Sequence, residues 1–286
     1  MKNAIVYHWW TESCVFVKDD LFNPILYSIA TIRRHNQEVP IYVINLSPEA
    51  EWGVYPKTLN FNVLNKHSKF TKNSGYQNNL MSRVFDIIEV AQTIEEEDIL
   101  FNDSDVFWIK DPFPLMNDTK VFNCNQNNGV FYYNKHSIEA MNFIREWQHD
   151  THRTVNDPDF RSKLLHDMQF ASNFKIHDEL IMRYTQKRLP DSYRPVPMKE
   201  NNIIFTPITD PKNLHIIRAF VGKKDRLRVA LSIKEIAEAI ENVLGQILPK
   251  KDKYSVKDLI TRKAIIDLCS DGDADRALNY CLSKIC

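Results

Sequence analysis

Net charge is what the sequence most obviously lacks. Lysine plus arginine and aspartate plus glutamate each number 37, so the formal charge is zero, and no global field draws the chain to nucleic acid or an anionic membrane. Any phosphate chemistry has to come from local charge. A cysteine framework is missing too. Cys14, Cys124, Cys269, Cys281 and Cys286 are odd in number and contain no short paired spacing, so they signal neither a closed disulfide scaffold nor a zinc site, and reduced thiols in a cytoplasmic protein are expected. No apolar run approaches the ~20 residues that span a bilayer. The opening stretch from Met1 to Trp10 turns polar too soon for a signal peptide, so a Golgi-type anchored enzyme is not expected. The 286 residues suffice for one large α/β domain with a full core, with or without a small appendage.

What is present is an apolar run that stops on two acids. Ile99-Leu100-Phe101-Asn102-Asp103-Ser104-Asp105-Val106-Phe107-Trp108 reads as a strand that ends at Asp103. Alternate side chains leave a strand on opposite faces, but a turn beginning at Asp103 can swing both carboxylates toward one point beyond the strand. Two hard oxygen donors there suit Mg²⁺ or Mn²⁺, which can carry the phosphates of a ligand. Alone, an Asp-Ser-Asp triplet is more simply a solvated turn, so its surroundings have to carry the reading.

In chain order, Ala4 to Tyr7 reads as a buried first strand opening into His8-Trp9-Trp10. Ligands of open α/β sheets bind at that edge. An aromatic there either stacks on a flat base or closes the core. Apolar residues at helical spacing from Asp20 to His35, then Ile41 to Ile44, give a β-α-β unit. A strand is expected near Phe61 to Leu64. Tyr76 to Val90 reads as a helix with Met81, Val84, Phe85 and Ile88 inward and Arg83 just off that stripe. From spacing alone, Arg83 is a surface residue paired with Asp86 or Glu89 as readily as a ligand contact. Glu95 to Asp98 reads as a solvated acidic loop. Val121 to Asn123 and Gly129 to Tyr133 read as strands, and Ser137 caps a helix from Ile138 to Trp147. Asp150 to Lys163 is expected to be a polar excursion, the natural place for a mobile or acceptor-facing segment. Late strands are expected at Tyr193 to Pro197 and Ile203 to Pro207. Three helices follow between Ile233 and Ile285. That tail can pack on the domain, receive an acceptor or make a homodimer.

The order of these pieces is informative. A helix bearing Arg83, a strand, Asp103-Ser104-Asp105, the turn Asp111-Pro112 and then Asn128-Gly129-Val130-Phe131-Tyr132-Tyr133-Asn134 together resemble the nucleotide-sugar glycosyltransferases of GT-A fold. The resemblance covers about residues 1 to 225 and is strongest from Ser82 to Asn134. It implies a Rossmann-like mixed sheet flanked by helices, with a catalytic domain over 1–230 and a helical extension, 231–286, packed on it. It further implies transfer of a monosaccharide from a nucleoside diphosphate, UDP being the expected carrier, to a glycan hydroxyl on a glycoprotein or polysaccharide. In such enzymes Asp103, Asp105 and a late histidine, here His215, would hold Mn²⁺ or Mg²⁺. Tyr7, His8, Trp9, Arg83, Ser104, Asn128, Gly129, Lys223 and Lys224 would meet the donor. An acid opening a helix, Asp178 or Glu179, would face sugar and acceptor. By spacing alone both acids are ordinary helix-start carboxylates, and a lone histidine in an apolar run is more often a core residue. Two rivals stand beside this reading. A Mg²⁺-dependent phosphotransferase or phosphatase normally places its aspartate after the first strand, where this chain has His8-Trp9-Trp10. A catalytically silent sugar-nucleotide-binding protein would keep the fold without turnover.

Overall fold

The computed structural model describes residues 2–10, 24–53, 55–67, 76–104, 106–108, 111, 113, 119–124, 129–195 and 216–218. Four parallel strands form its first half: β1 (Asn3–Trp9), β2 (Ile41–Asn45), β3 (Asn62–Asn65) and β4 (Asp98–Asn102). Helix α1 (Pro24–His35) links β1 to β2, the short α2 (Tyr55–Thr58) precedes β3, and α3 (Tyr76–Thr93) leads into β4. A short strand β5 (Val106–Trp108) follows the Asp-Ser-Asp turn. Then β6 (Phe122–Cys124) and β7 (Val130–Asn134) return along the other side of β4, with β7 antiparallel to both β4 and β6. Helices α4 (Ile138–Asn156), α5 (Pro158–Asp167) and α6 (Asp178–Arg188) come next, then β8 (Tyr193–Pro195) and β9 (Ile216–Arg218). The seven-stranded sheet has the order β3-β2-β1-β4-β7-β6-β8, while β5 and β9 form a separate antiparallel ribbon.

Strand alternation divides the interior into two cores. Ala4, Val6, Ile99, Phe101, Phe131 and Tyr133 face α3, α4 and α6. Their neighbours Ile5, Tyr7, Leu100, Val130 and Tyr132 face α1 and the loop around Trp52. Parallel strands covered on both faces are apolar on both, which is why Ala4 to Tyr7 and Ile99 to Phe101 are continuous apolar runs. The first core is aromatic at its centre: Phe122 stacks on Phe143 at 4.4 Å, Phe101 on Phe131 at 4.4 Å, and Trp147 meets Phe131 edge-on at 5.8 Å. Arg33, near the end of α1, donates from Nε to the Leu59 carbonyl at 2.8 Å and from Nη1 to that of Val39 at 2.8 Å. It therefore stitches two loops together as well as meeting the helix dipole.

Two expectations change. Asp150 to Lys163 is no excursion: α4 continues to Asn156, Asp157 caps α5 by accepting from the Asp159 and Phe160 amides, and Asp150, Thr151 and Thr154 are buried. The segment looks polar because its buried positions satisfy one another. Asp150 accepts from Thr185 at 2.9 Å and from Arg188 at 3.1 Å, tying α4 to α6. The run Glu95 to Asp98 is only partly solvated, since Glu96 accepts from the Tyr42 hydroxyl and Asp98 from the Asn134 amide. The Ile203–Pro207 strand and the helices expected beyond Leu231 lie outside the described residues. No helix among the described residues is long and apolar enough to cross a membrane.

Candidate functional site

The carboxyl ends of β1 and β4 lie side by side, where the strand order turns back on itself. Open α/β sheets bind ligands in such a crevice. Period-two alternation sends Tyr7 to one core and His8 to the other. Both are correspondingly enclosed. Tyr7 is wholly buried, with its hydroxyl engaged by Ser28 at 2.8 Å and Asn102 at 3.1 Å, and burial raises its pKa above the ordinary tyrosine range. His8 turns toward α3, where its Nε2 meets Asp86 Oδ2 at 3.0 Å with the two side chains 0% and 1% exposed. Burial pushes the imidazole below its usual range, against the opposing pull of Asp86. Nε2 faces the Asp86 carboxylate, which can only accept, and neither Nδ1 nor Asp86 Oδ1 finds a hydrogen-bond partner. Trp9 packs edge-on against Trp52 at 4.8 Å. The side chains of Tyr7, His8 and Trp9 are thus engaged in packing and buried hydrogen bonds, because neighbouring elements cover both faces of β1.

Arg83 is the side chain that organises the corner. Its guanidinium reaches Asp103 Oδ1 from Nη2 at 3.1 Å and Asp178 Oδ2 from Nη1 at 3.3 Å. All three side chains are 10% exposed or less. Phe101 lies beneath the guanidinium, 5.0 Å from ring centroid to carbon. Strand β4 delivers Asp103, the amino end of α6 delivers Asp178, and α3 delivers Arg83 between them. The surface pairing of Arg83 with Asp86 or Glu89 does not occur: Asp86 faces His8, and Glu89 pairs with Lys66. Asp178 and Glu179 part company. The former is buried against Arg83, while the latter pairs with Arg183 one turn along α6 at 2.5 Å. Ser104 is half-buried in the turn, and Gly129 accepts the Asp103 amide proton at 2.7 Å, joining the turn to the start of β7.

A third feature escaped the sequence reading. Asn102, the last residue of β4, is completely buried on the α1 side and donates from Nδ2 toward Tyr7, Ser28 and the carbonyls of Asp103 and Val106, at 3.0–3.2 Å. Its Oδ1 accepts the Trp108 indole proton at 3.0 Å. The sequence carries one trace of this. Ser28 and Thr31 interrupt the apolar stripe of α1 three residues apart, on the face that meets β5.

Asp105, Asn128, His215, Lys223 and Lys224 lie outside the described residues. Among the described residues no group of three or more His, Cys, Asp and Glu side chains could hold a metal, so any such site draws on Asp103 together with undescribed donors. The ribbon does bring the late segment to the motif: Val106, which follows Asp105, pairs with Arg218, and Trp108 pairs with Ile216. His149, His152 and His166 form no ligand group among the described residues. A surface groove of about 670 Å³, lined by Lys163, Asp167, Tyr184, Lys187 and others, lies at the far end of α6. Its lysines are held by the Asp167 carboxylate and carbonyl.

No family model and no curated protein matches the chain. Among solved structures, the glycosyltransferase GlyE of Streptococcus pneumoniae TIGR4 is similar over 89% of this chain, with 14% identity and a TM-score of 0.51. The bifunctional glycosyltransferase WbbM is similar over 84% of it, with 12% identity and a TM-score of 0.51. The chain spans 66% of the first protein and 49% of the second. At such identities the likeness concerns the path of the backbone. A mixed sheet with this strand order, covered by helices on both faces and similar to these structures over most of its length, gives the chain the GT-A fold.

Proposed function

We propose that this protein is a metal-dependent glycosyltransferase that moves a monosaccharide from a nucleoside diphosphate, UDP in our reading, to a carbohydrate hydroxyl. The observation that carries the proposal is the Arg83 guanidinium joining Asp103 to Asp178 at the carboxyl edge of the sheet. Three ionisable groups brought together out of water are costly unless they are matched, and they meet at the crevice where ligands of this architecture bind. The GT-A fold and its glycosyltransferase neighbours give the same direction.

In this reading Asp103 and Asp105 hold Mn²⁺ or Mg²⁺, hard carboxylate oxygens being suited to either. The bound cation would supply positive charge opposite the diphosphate as the anomeric carbon–oxygen bond breaks. Arg83 carries a planar fork that fits a carboxylate or a phosphate, so it can keep Asp178 oriented while facing the donor. Asp178, rather than Glu179, faces the substrate. In an inverting reaction it takes the proton of the acceptor hydroxyl; in a retaining one it supports the cation-like sugar. Lys223 and Lys224 add charge near the diphosphate, and Asn128 and Gly129 meet the sugar. His215 is the third protein donor to the cation.

The test is a thermal-shift screen of UDP-, GDP- and CMP-sugars with and without Mn²⁺. Ligand at a hundredfold excess over its dissociation constant stabilises the folded state by about 2.7 kcal/mol, which is roughly 5 °C or more for a protein of this size. The expected result is a shift that needs both UDP and Mn²⁺ and is abolished by Asp105→Ala without unfolding the free protein. An unaltered shift in Asp105→Ala removes that residue from the site. The absence of any shift across the screen overturns the proposal.

A further inference from the structure

We infer that Asn102 is a positioning residue for the Asp-Ser-Asp turn, with Ser28 of α1 as its second anchor. The inference rests on the reading of that turn as the donor site. It begins with proton accounting. The Ser28 hydroxyl donates to the Val106 carbonyl at 2.5 Å. Its single proton is then committed, so Ser28 Oγ accepts from the Tyr7 hydroxyl at 2.8 Å and from Asn102 Nδ2 at 3.0 Å. The Tyr7 oxygen accepts from Asn102 in turn. On the other side, the Trp108 indole donates to Asn102 Oδ1, and the Trp108 amide donates to Thr31 Oγ1 at 3.0 Å. The two protons of Asn102 Nδ2 are shared among its four acceptors, and the amide has one orientation.

The partners of the Asn102 amide fix that orientation. Flipping the amide would set Oδ1 against the Asp103 and Val106 carbonyls and Nδ2 against the Trp108 indole proton, replacing those three attractions by repulsions. The carbonyls it holds, those of Asp103 and Val106, bracket the two residues between them. The Asp103 carbonyl is held by the Asn102 amide and the Val106 N–H, and the Val106 carbonyl by the Asn102 amide and the Ser28 hydroxyl, in a cluster where Tyr7, Ser28, Asn102 and Val106 are fully buried. A buried carbonyl left without a donor costs about 1–3 kcal/mol, so the turn has strong reason to keep this one shape. Cation sites need their ligands held to within about 0.5 Å. Two neighbouring carboxylates repel each other unless something else holds the backbone. Asn102 and Ser28 do so without touching the ligand.

The experiment uses the full chain and the variants Ser28→Ala, Trp108→Phe and Asn102→Asp. Two quantities are read at a temperature where each variant is folded. One is affinity for Mn²⁺ with UDP, by calorimetry; the other is hydrogen exchange of the backbone amides from Asp103 to Trp108. Ser28→Ala removes one anchor at little change in volume, and Trp108→Phe removes the indole donor while keeping an aromatic ring; both should stay folded even if Asn102→Asp does not. The expected result is about tenfold weaker binding, with exchange faster in the turn and unchanged in β2 and β7. A merely stabilising role would lower the melting temperature and leave affinity unchanged in the folded variants, and that result overturns the inference. So does unaltered exchange in the turn. If the unsubstituted protein binds neither Mn²⁺ nor UDP, the functional reading falls by itself, and the exchange measurement still decides whether Asn102 holds the turn.

Discussion

Arg83 is held between two carboxylates in a nearly water-free corner, and removing it would leave both without their main cation. Arg83→Met should therefore cost about 3–5 kcal/mol, the range for breaking a buried ion pair from one side, measured by urea denaturation at neutral pH. A cost under about 1 kcal/mol would mean that the three groups are hydrated and the corner is open. His8 gives a second test through pH. Its folded-state pKa lies below the ordinary 6.5 because the ring is buried, whereas in the unfolded chain it titrates near that value. As pH falls through about 6.5, the unfolded state takes up a proton that the folded state refuses. Its contribution to stability is thus intact above pH 6.5 and declines below it, by up to about 1.4 kcal/mol per pH unit. His8→Gln should flatten the slope of unfolding free energy between pH 7.5 and 5.5. An identical slope in the two proteins would remove His8 as its source.

At the scale of elements, α6 matters because it carries Asp178 at its first residue and is fastened to α4 near its last turn. Thr185 donates to Asp150 in the buried seam, while Glu146 meets Arg188 at the partly exposed rim. Thr185→Val should cost about 1.5–3 kcal/mol, as for a buried hydrogen bond to a charged acceptor. Glu146→Gln should cost less than about 1 kcal/mol. Equal losses in thermal unfolding would show that the seam is not what secures α6. The α4 start is a simpler case. Ser137 accepts the Ala140 amide proton as an N-cap, so Ser137→Ala should cost about 1 kcal/mol. This cap was readable from Ser137 followed by an apolar-periodic run, whereas the extent of α4 was not. Polar Asp150, Thr151 and Thr154 resemble a loop until their partners are known: Thr185 and Arg188 of α6 for Asp150, and carbonyls of α4 itself for the two threonines.

For the molecule as a whole, one sheet is shared by two cores, and adjacent residues serve different ones. Leu100 faces the α1 side and Phe101 the α3 side. Leu100→Ala should cost about 2–5 kcal/mol and Phe101→Ala about 3–5 kcal/mol. Because β4 belongs to both layers, each substitution should move one common transition, seen together in far-ultraviolet circular dichroism and tryptophan fluorescence. Two separated transitions after only one of the substitutions would show that the layers unfold independently.

The sequence by itself determined the strands of the first half, the helices α1 and α3, the Ser137 cap, and the turn at Asp103, since each depends on neighbours within a few positions: hydrophobic period, capping residues, a run ending in acids. It also supplied the order of motifs by which the GT-A fold could be expected. Tertiary structure alone decided which acid of the Asp178-Glu179 pair meets Arg83, which way Tyr7 and His8 turn, and that Asn102 belongs with Ser28 and Tyr7. Those outcomes depend on groups 74 to 95 residues apart in the chain becoming hydrogen-bond partners, and on burial removing the water that would otherwise have served each of them equally well. A local pattern contains neither the distant partner nor the missing water.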